Sequence, residues 1–305
     1  MTTPVTVIGG YLGAGKTTLI NAMLRQADGL RIAVLVNEFG SLPIDEDLIV
    51  AQEGDVISIA GGCICCSFGD NLVGAFTDLL ALAPRPDHIV IEASGVAIPS
   101  AIAATLSLVQ GVTFLGTVVL ADAETVKERS RDTYMGDTII RQLEGADIVL
   151  LSKADLVAGE RAGGLEAWLK TVSPASEVLP VAGGQIPNAV VLGAVNRGDG
   201  LRVRAGEDHG ALYRSIVFDP AGSVNADALA DILATPALGI IRAKGIFEGE
   251  DGKLCEVQAV GARVTSKEAE SVPKKLGLVC IGLEARLDVA GIVSVLRPLG
   301  LTEAA

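Results

Sequence analysis

Hydrophobic residues in the first half of the chain occur in short continuous runs and do not alternate strictly with polar residues. After an apolar segment at 4–8 the runs are RIAVLV (31–36), DVISIA (55–60), HIVIEA (88–93), VTFLGTVVLA (112–121) and DIVLLS (147–152). Strands buried on both faces of a parallel sheet have this pattern. Helical patterns such as NLVGAFTDLLAL and DTIIRQLEGA fill most of the gaps. The alternation predicts an α/β fold with a mostly parallel sheet and ligands at the carboxyl ends of its strands.

One long stretch, from Ala93 to Ala121, contains no charged residue. Its length would suffice to span a bilayer. However, Pro99, Gly111 and Gly116 interrupt it, and it divides into a short helix followed by the strand VTFLGTVVLA. We interpret it as buried α/β structure and expect no membrane partner.

The second half of the chain has a different pattern. The glycine-rich, charged stretch AVNRGDGLRVRAGEDHG (194–210) is the best candidate for a linker. After it, LYRSIVFD, NADALADILA, GIIRAKGIF, KLCEVQAVGARV, GLVCIGL and DVAGIVSVLRPL suggest the order β-α-β-β-(β)-α. We predict a large domain at 1–196, a linker at 197–210 and a smaller C-terminal α+β domain at 211–305.

Charge and composition restrict the class of partner. The 305 residues carry a formal net charge of −13, which argues against binding to nucleic acid or to anionic membranes. The N-terminus MTTPVTVIGG lacks the basic region and cleavage site of a secretory signal. We therefore expect a cytoplasmic protein, in a reducing compartment where clustered cysteines are more often metal ligands or redox groups than structural disulfides.

The segment between the first strand and the first helix matches the phosphate-loop pattern G-x-x-x-x-G-K-[ST]. Backbone N–H groups of such a loop surround the phosphates. Lys16 would reach the β- and γ-phosphates, and the Thr17 hydroxyl would bind Mg²⁺. A dinucleotide fingerprint fits less well, because it does not use the Lys-Thr pair. The predicted nucleotide contacts here are Gly10, Gly13, Ala14, Gly15, Lys16, Thr17 and Thr18.

Polar residues also follow three of the predicted strands. Glu92, near the end of HIVIEA, would hold Mg²⁺ or its water, with Gly95 beside the nucleotide. RIAVLV runs into VNEFG and IDEDL. Asp45 would position the attacking water or sense Mg²⁺. Glu38 would link the nucleotide to the cysteines at 63–66 and is a possible metal ligand. With Lys16, we predict Glu92 and Asp45 as catalytic residues. The acidic run around Asp45 fits a solvated loop equally well.

DIVLLS ends at Ser152, and Lys153, Ala154 and Asp155 follow it. In P-loop GTPases a carboxylate at the position of Asp155 accepts from guanine N1–H and the 2-amino group, which adenine cannot supply. The Lys153 stem would stack along the base. These residues and Ser152 complete the predicted nucleotide site, with GTP as the expected nucleotide and ATP as the alternative.

Three of the five cysteines, Cys63, Cys65 and Cys66, lie within GGCICC. Cys63 and Cys65 would share one face of a continuing strand, and a turn after them would bring Cys66 close. Thiolates favour Zn²⁺, Cu⁺ or tetrahedral Co²⁺, and three of them leave one position open. We predict a transition-metal site here, with packed or redox-active thiols as the alternative. Cys255 and Cys280 lie in apolar strand-like runs and are expected in the core.

Taken in order, GGYLGAGKTTLIN, VNEFG with IDEDL, GGCICC, EASGVAIP and LLSKADL resemble the CobW-type GTPases, which are similar to the GTPases that mature hydrogenase and urease. IIRAKGIF, VQAVG and LVCIGLEARLDVAGI resemble the second domain of that family, so the resemblance covers nearly the whole chain. It implies a P-loop GTPase with GTP/GDP and Mg²⁺. It also implies a metallochaperone role, with Zn²⁺ or Co²⁺ as cargo for a client metalloprotein.

The chain departs from this family in two places. Ser152 stands where the guanine motif usually begins with Asn, and a hydroxyl cannot make the two-sided hydrogen bonds of an amide. The chain has only two histidines and therefore lacks the histidine-rich stretch of many relatives.

We expect a GTPase with slow intrinsic turnover, because no arginine finger is visible in the sequence. The rival interpretations are a GTP-regulated thiol redox switch, a metal sensor or storage protein without delivery, and an ATP-dependent small-molecule kinase.

Overall fold

The computed structural model describes residues 2–27, 29–37, 56–61, 70–193, 195–196, 201–202, 212–269, 273 and 275–304. The chain divides into two compact units, Thr2–Ile186 and Pro187–Ala305. Each unit has its own large sheet.

The first unit is built on a parallel sheet. Among the described residues its seven strands are β1 (Thr3–Gly10), β2 (Ile32–Asn37), β3 (Val56–Gly61), β4 (His88–Glu92), β5 (Val112–Asp122), β6 (Ile148–Ser152) and β7 (Glu177–Val181). Their order is β3-β2-β4-β1-β5-β6-β7, so β1 lies between β4 and β5. Every pairing in the sheet is parallel. The predicted α/β class is confirmed, and the carboxyl ends of the strands meet along one edge.

Helices connect and cover these strands. They are α1 (Lys16–Arg25), α2 (Asp70–Ala81), α3 (Pro99–Leu106), α4 (Val126–Arg129), α5 (Gly136–Glu144) and α6 (Gly159–Val172). Phe76 of α2 and Ile102 of α3 belong to one buried cluster with Val7 of β1. Ile139 of α5 and Leu165 of α6 belong to a second cluster with β5 and β6. Apolar side chains on the helices thus bury the continuous apolar strands, as the sequence pattern predicts.

The uncharged stretch from Ala93 to Ala121 forms α3 and most of β5, as predicted. In the part of the chain that the structure describes, no helix has the length and apolar character needed to cross a membrane. The strand β7 was missed by the sequence analysis. Its exposed Pro180 interrupts the apolar run, and β7 tolerates this proline because it pairs only with β6 at the edge of the described sheet.

The second unit contains an antiparallel sheet. Its described strands are β10 (Tyr213–Pro220), β11 (Ile240–Glu248), β12 (Leu254–Val260), β13 (Arg263–Glu268), β14 (Gly277–Leu283) and β15 (Leu301–Glu303), in the order β13-β12-β11-β14-β10-β15. The helices α8 (Ala226–Leu233) and α9 (Val289–Leu296) pack on one face around Phe218 and Cys280. The predicted small α+β domain with a helix-covered sheet is confirmed. One predicted strand, KLCEVQAVGARV, is instead two, because Gly261 at φ 53° forms a two-residue turn between Val260 and Arg263.

The second unit begins earlier than the predicted boundary at residue 196. It starts at Pro187 and includes α7 (Asn188–Leu192) and a two-stranded ribbon of β8 (Val195–Asn196) and β9 (Leu201–Arg202). Arg242 of β11, only 2% exposed, supplies a reason. Its Nε donates to the Val190 carbonyl at 2.8 Å, and its Nη2 donates to the Val191 carbonyl. The predicted linker, 197–210, lies outside the described residues except for β9.

Candidate nucleotide site

The predicted phosphate loop connects β1 to α1. Gly10 ends β1 with a φ of 134°, and a Cβ atom at this position would lie 2.6 Å from the Leu120 carbonyl oxygen. Glycine alone avoids that collision. The Ala14 N–H donates to the Tyr11 carbonyl at 3.1 Å, and α1 begins at Lys16. Strand, loop and helix follow one another as the motif requires.

The Lys16 ammonium lies over the start of this loop, where Nζ donates to the Gly10 carbonyl at 3.0 Å. It is therefore placed beside the backbone that would surround the phosphates. The exposed Thr18 follows, and a Cβ atom on Gly184 would lie 3.2 Å from Thr18 Cγ2. The turn after β7 therefore closes on the beginning of α1, a neighbour that the sequence analysis did not predict.

Thr17 and Glu92 meet at the carboxyl edge of the sheet. Thr17 Oγ1 donates to Glu92 Oε1 at 3.1 Å. Glu92 ends β4, lies beside Ile8 of the central strand β1, and is only 4% exposed. A hydroxyl and a carboxylate oxygen are the donors that Mg²⁺ prefers, so the pair fits this ion. Bound Mg²⁺ would neutralise charge on the phosphates.

The turn after Glu92 is fixed on both sides. A Cβ atom on Gly95 would lie 2.5 Å from Leu12 Cδ2, so this turn approaches the phosphate loop as closely as glycine allows. On its other side, Nε2 of the buried Gln142 donates to the carbonyls of Gly95 at 3.0 Å and Ala97 at 2.7 Å. Gln142, on α5, is a supporting residue that the sequence pattern did not reveal.

Ser152 ends β6 and contacts the phosphate loop from the opposite side. Its Oγ donates to the Ala14 carbonyl at 2.8 Å and also lies 3.3 Å from the Ala121 carbonyl. The serine hydroxyl therefore ties the end of β6 to the phosphate loop. Since a hydroxyl has a single proton, this tie leaves it only acceptor lone pairs for a base.

Lys153 and Asp155 follow Ser152. Lys153 has a φ of 56°, the only positive value at a non-glycine residue in the described ranges. Its Nζ lies 2.7 Å from Oδ2 of Asp122, the last residue of β5. Asp155 lies in the short 3-10 helix Ala154–Leu156 and is exposed, so its carboxylate is open to a ligand. Asp122 is a second residue that the sequence analysis missed.

Arg129, at the end of α4, is a third residue near the loop that the sequence pattern did not reveal. Its Nη1 donates to the Leu12 carbonyl at 3.3 Å, and its guanidinium lies 5.3 Å from the centroid of the Tyr11 ring. With Lys16 it brings positive charge to the loop of a chain whose net charge is −13. Local positive charge of this kind favours a triphosphate anion.

Several predicted site residues lie outside the described residues. They are Glu38 and Asp45 of the predicted switch segment and the cysteines Cys63, Cys65 and Cys66. Within the described ranges no cluster of three or more His, Cys, Asp or Glu side chains could hold a metal ion. The predicted cargo site and water-positioning residue therefore stay predictions.

Two family descriptions match the chain. Residues 4–180 match the nucleotide-binding domain of CobW/HypB/UreG, and residues 213–297 match the cobalamin synthesis protein CobW C-terminal domain. Among curated proteins, the zinc chaperone CobW of Sinorhizobium sp. is 32% identical over 97% of both chains. The zinc-regulated GTPase metalloprotein activator 1 of Dictyostelium discoideum is 27% identical over 79% of this chain and 62% of its own length.

Among solved structures, the fold is similar to the zinc-bound YjiA GTPase from Escherichia coli. The identity is 24%, the TM-score is 0.48, and the match covers 98% of this chain and 99% of that chain.

Proposed function

The chain is a GTPase of the CobW/HypB/UreG family, and we propose that it is a metallochaperone that carries zinc to a client metalloprotein under the control of GTP. The names of its relatives support zinc over cobalt as the cargo. The observation that carries the GTPase part is the convergence of Lys16, the Thr17–Glu92 pair and the Ser152–Asp155 segment on one phosphate loop.

In this proposal each residue at the loop has a separate task. Lys16 stabilises charge on the β- and γ-phosphates, and Thr17 and Glu92 hold Mg²⁺. Asp155 accepts from the guanine edge while the Lys153 stem covers the base. The exposed position of Asp155 and the buried position of Glu92 suit these two tasks.

We propose that Cys63, Cys65 and Cys66 hold the cargo. They lie in the connection between the end of β3 at Gly61 and the start of α2 at Asp70. Since the sheet is parallel, β3 ends at the same edge as the phosphate loop, three strands away from β1, or about 14 Å at the usual strand spacing. This distance is short enough for a single connecting segment to contact both sites.

The segment that follows β2 is the proposed link. β2 lies between β3 and β4 and ends at Asn37, and Glu38 is the next residue in the sequence. We propose that Glu38 and Asp45 change position with the γ-phosphate. Coupling requires only that GTP and GDP favour cysteine arrangements of different metal affinity.

A metal titration in defined nucleotide states tests this function. The reduced protein is titrated with Zn²⁺ and Co²⁺ in the presence of Mg²⁺ with a non-hydrolysable GTP analogue, of Mg²⁺ with GDP, and without nucleotide. Sulfur-to-cobalt charge-transfer absorption reports thiolate binding. We expect an affinity that depends on the nucleotide and is lost in Cys65→Ser. Cys255→Ser is the matched control, because Cys255 lies on β12 beside Ser266, in the other unit.

Two results would contradict the proposal. Metal affinity that is equal in all three nucleotide states would remove GTP control and leave a metal sensor or storage protein. Protein that binds no metal but loses two hydrogen atoms when an oxidant converts a pair of thiols to a disulfide, detected by mass spectrometry, would be a thiol switch.

A further inference from the structure

Lys153 is held in an uncommon backbone conformation. Its φ of 56° lies in the left-handed region, which side chains with a Cβ atom occupy rarely. This conformation directs the residue away from the line of β6 and toward the end of β5, where Nζ reaches Asp122 Oδ2 at 2.7 Å. An ordinary surface ion pair would not require such a backbone.

Asp122 is itself fixed. It is the last residue of β5 and lies beside Ser152 in the register of the sheet. Its Oδ1 accepts from the Glu124 N–H at 2.9 Å, and its side chain is 13% exposed compared with 36% for Lys153. Glu124 is a weaker partner of the same ammonium, at 3.9 Å and with a side chain 47% exposed. The less exposed Asp122 carboxylate therefore holds the more exposed Lys153 side chain in place.

The neighbouring serine increases the need for such an anchor. The Ser152 hydroxyl donates its one proton to the Ala14 carbonyl, so it has none for a purine. On this side of the loop, contact with the base then depends on Lys153 and Asp155.

We propose that Asp122 is a positioning residue for the guanine nucleotide. By holding the Lys153 ammonium, it fixes the methylene stem of Lys153 as one face of the purine pocket before the nucleotide arrives. The inference rests on the proposed assignment of this loop to GTP. The affinity for the nucleotide increases because a lysine stem that is already ordered loses less conformational freedom when the base binds.

Nucleotide binding to Asp122→Asn tests the inference, measured with fluorescent GDP and a fluorescent GTP analogue. The variant keeps an oxygen for the Glu124 N–H but removes the charge that holds the ammonium. We expect binding about tenfold weaker and an increase in KM with nearly unchanged kcat. The direction of the change in affinity distinguishes the two possible effects of this substitution. Removing a negative charge near a triphosphate would by itself strengthen binding, whereas loss of the anchored lysine weakens it.

Glu124→Gln is the matched control. It removes the same charge near the same ammonium, but from the longer and more exposed contact, so binding should stay the same or become slightly tighter. A double-mutant cycle with Lys153→Met supplies the second readout. Asp122→Asn should have no further effect in the Lys153→Met background, because the group through which it acts is gone.

The outcomes separate the two proposals. If wild-type protein binds guanine nucleotides but Asp122→Asn binds them as tightly or more tightly, the inference is wrong and the GTPase assignment stands. An additive effect in the Lys153→Met background would also overturn it. Wild-type protein that does not bind guanine nucleotides would contradict the proposed function itself. If circular dichroism shows that Asp122→Asn folds poorly, Lys153→Met replaces it in the test. Lys153→Met must then bind the nucleotides about tenfold more weakly than the wild-type protein, and wild-type affinity would overturn the inference.

Discussion

Ser152 illustrates how one residue departs from a motif and keeps part of its task. The hydroxyl reaches the Ala14 carbonyl at 2.8 Å across 138 positions of sequence, at a site only 5% exposed. The retained contact ties β6 to the phosphate loop. Unlike the usual Asn, the serine has no second donor. The replacement therefore affects contact with the nucleotide base more than it affects the fold.

We predict that Ser152→Ala lowers the free energy of unfolding by about 1–2 kcal/mol, because the Ala14 carbonyl loses a buried donor. Nucleotide binding should weaken as the loop loses its tie. Chemical denaturation and fluorescent GDP binding would measure both effects. Ser130→Ala removes an exposed hydroxyl that donates to the Lys127 carbonyl at 3.0 Å, and it should change neither quantity appreciably. Equal stability of the two variants would contradict the assigned role of Ser152.

Glu92 lies at the other side of the same loop. We predict that Glu92→Gln decreases Mg²⁺-dependent GTP hydrolysis by about 10- to 100-fold, since an amide oxygen can still accept from Thr17 but carries no charge for the ion. Nucleotide binding measured without Mg²⁺ should remain. Glu144→Gln, an exposed site on α5, is the control. Hydrolysis at the wild-type rate in Glu92→Gln would exclude Glu92 from the magnesium site.

At the scale of elements, the continuous apolar runs predicted the parallel strands because burial on both faces leaves a pattern in the sequence itself. β7 and the β12–β13 hairpin were missed, because a proline and a two-residue turn hid the strands within mixed segments. The phosphate loop, Glu92 and Ser152–Asp155 were predictable from local motifs. Asp122, Arg129 and Gln142 were not, since each acts through a partner distant in sequence.

Helix α9 provides a test that is confined to one element. Asp288 caps its N-terminus by accepting from the Gly291 N–H at 2.9 Å. We predict that Asp288→Ala lowers the free energy of unfolding by about 1 kcal/mol, while Asp288→Asn preserves the cap and costs much less. Thermal denaturation would measure the difference. Identical melting temperatures for the two variants would show that the cap contributes little.

At the scale of the whole molecule, the division at Ile186 predicts how the chain can be cut. A fragment that ends at residue 186 should bind GDP and be expressed in soluble form, since it contains the complete parallel sheet of the described residues. The complementary fragment from Pro187 keeps the Val190 and Val191 carbonyls with Arg242. A fragment that starts at residue 197 leaves that buried guanidinium without them, and we expect it to be less soluble. The reverse ranking, measured as soluble yield, would favour the boundary at residue 196.

The stability of the folded chain should also fall in alkaline solution. Burial raises the pKa of the Cys280 thiol from 9.0 to about 12 and that of the Tyr213 phenol from 10.0 to about 12. Because both folded pKa values lie above the unfolded ones, the unfolded state releases protons first as the pH rises. The free energy of unfolding should thus decline from about pH 9 toward pH 12, by up to about 1.4 kcal/mol per pH unit for each group.

Urea denaturation at several pH values measures this slope, and Cys280→Ala should make it shallower. Lys244 has the opposite effect on the pH dependence of the free energy of unfolding. Its desolvation lowers its pKa in the folded state, so its contribution to stability increases as the pH approaches 10.5. An unchanged slope in Cys280→Ala would show that the thiol does not titrate as its burial predicts.

The central position of β1 has a consequence for synthesis on the ribosome. Of the described strands β1 is translated first, yet it pairs with β4 and with β5, which ends only at Asp122. In a nascent chain that stops before β5, β1 can pair only with β4, so its other edge and the phosphate loop lack the contacts that β5 supplies, and contacts so distant in sequence form slowly. We therefore expect protease resistance and GDP binding to appear together, and only after β5 has left the ribosome.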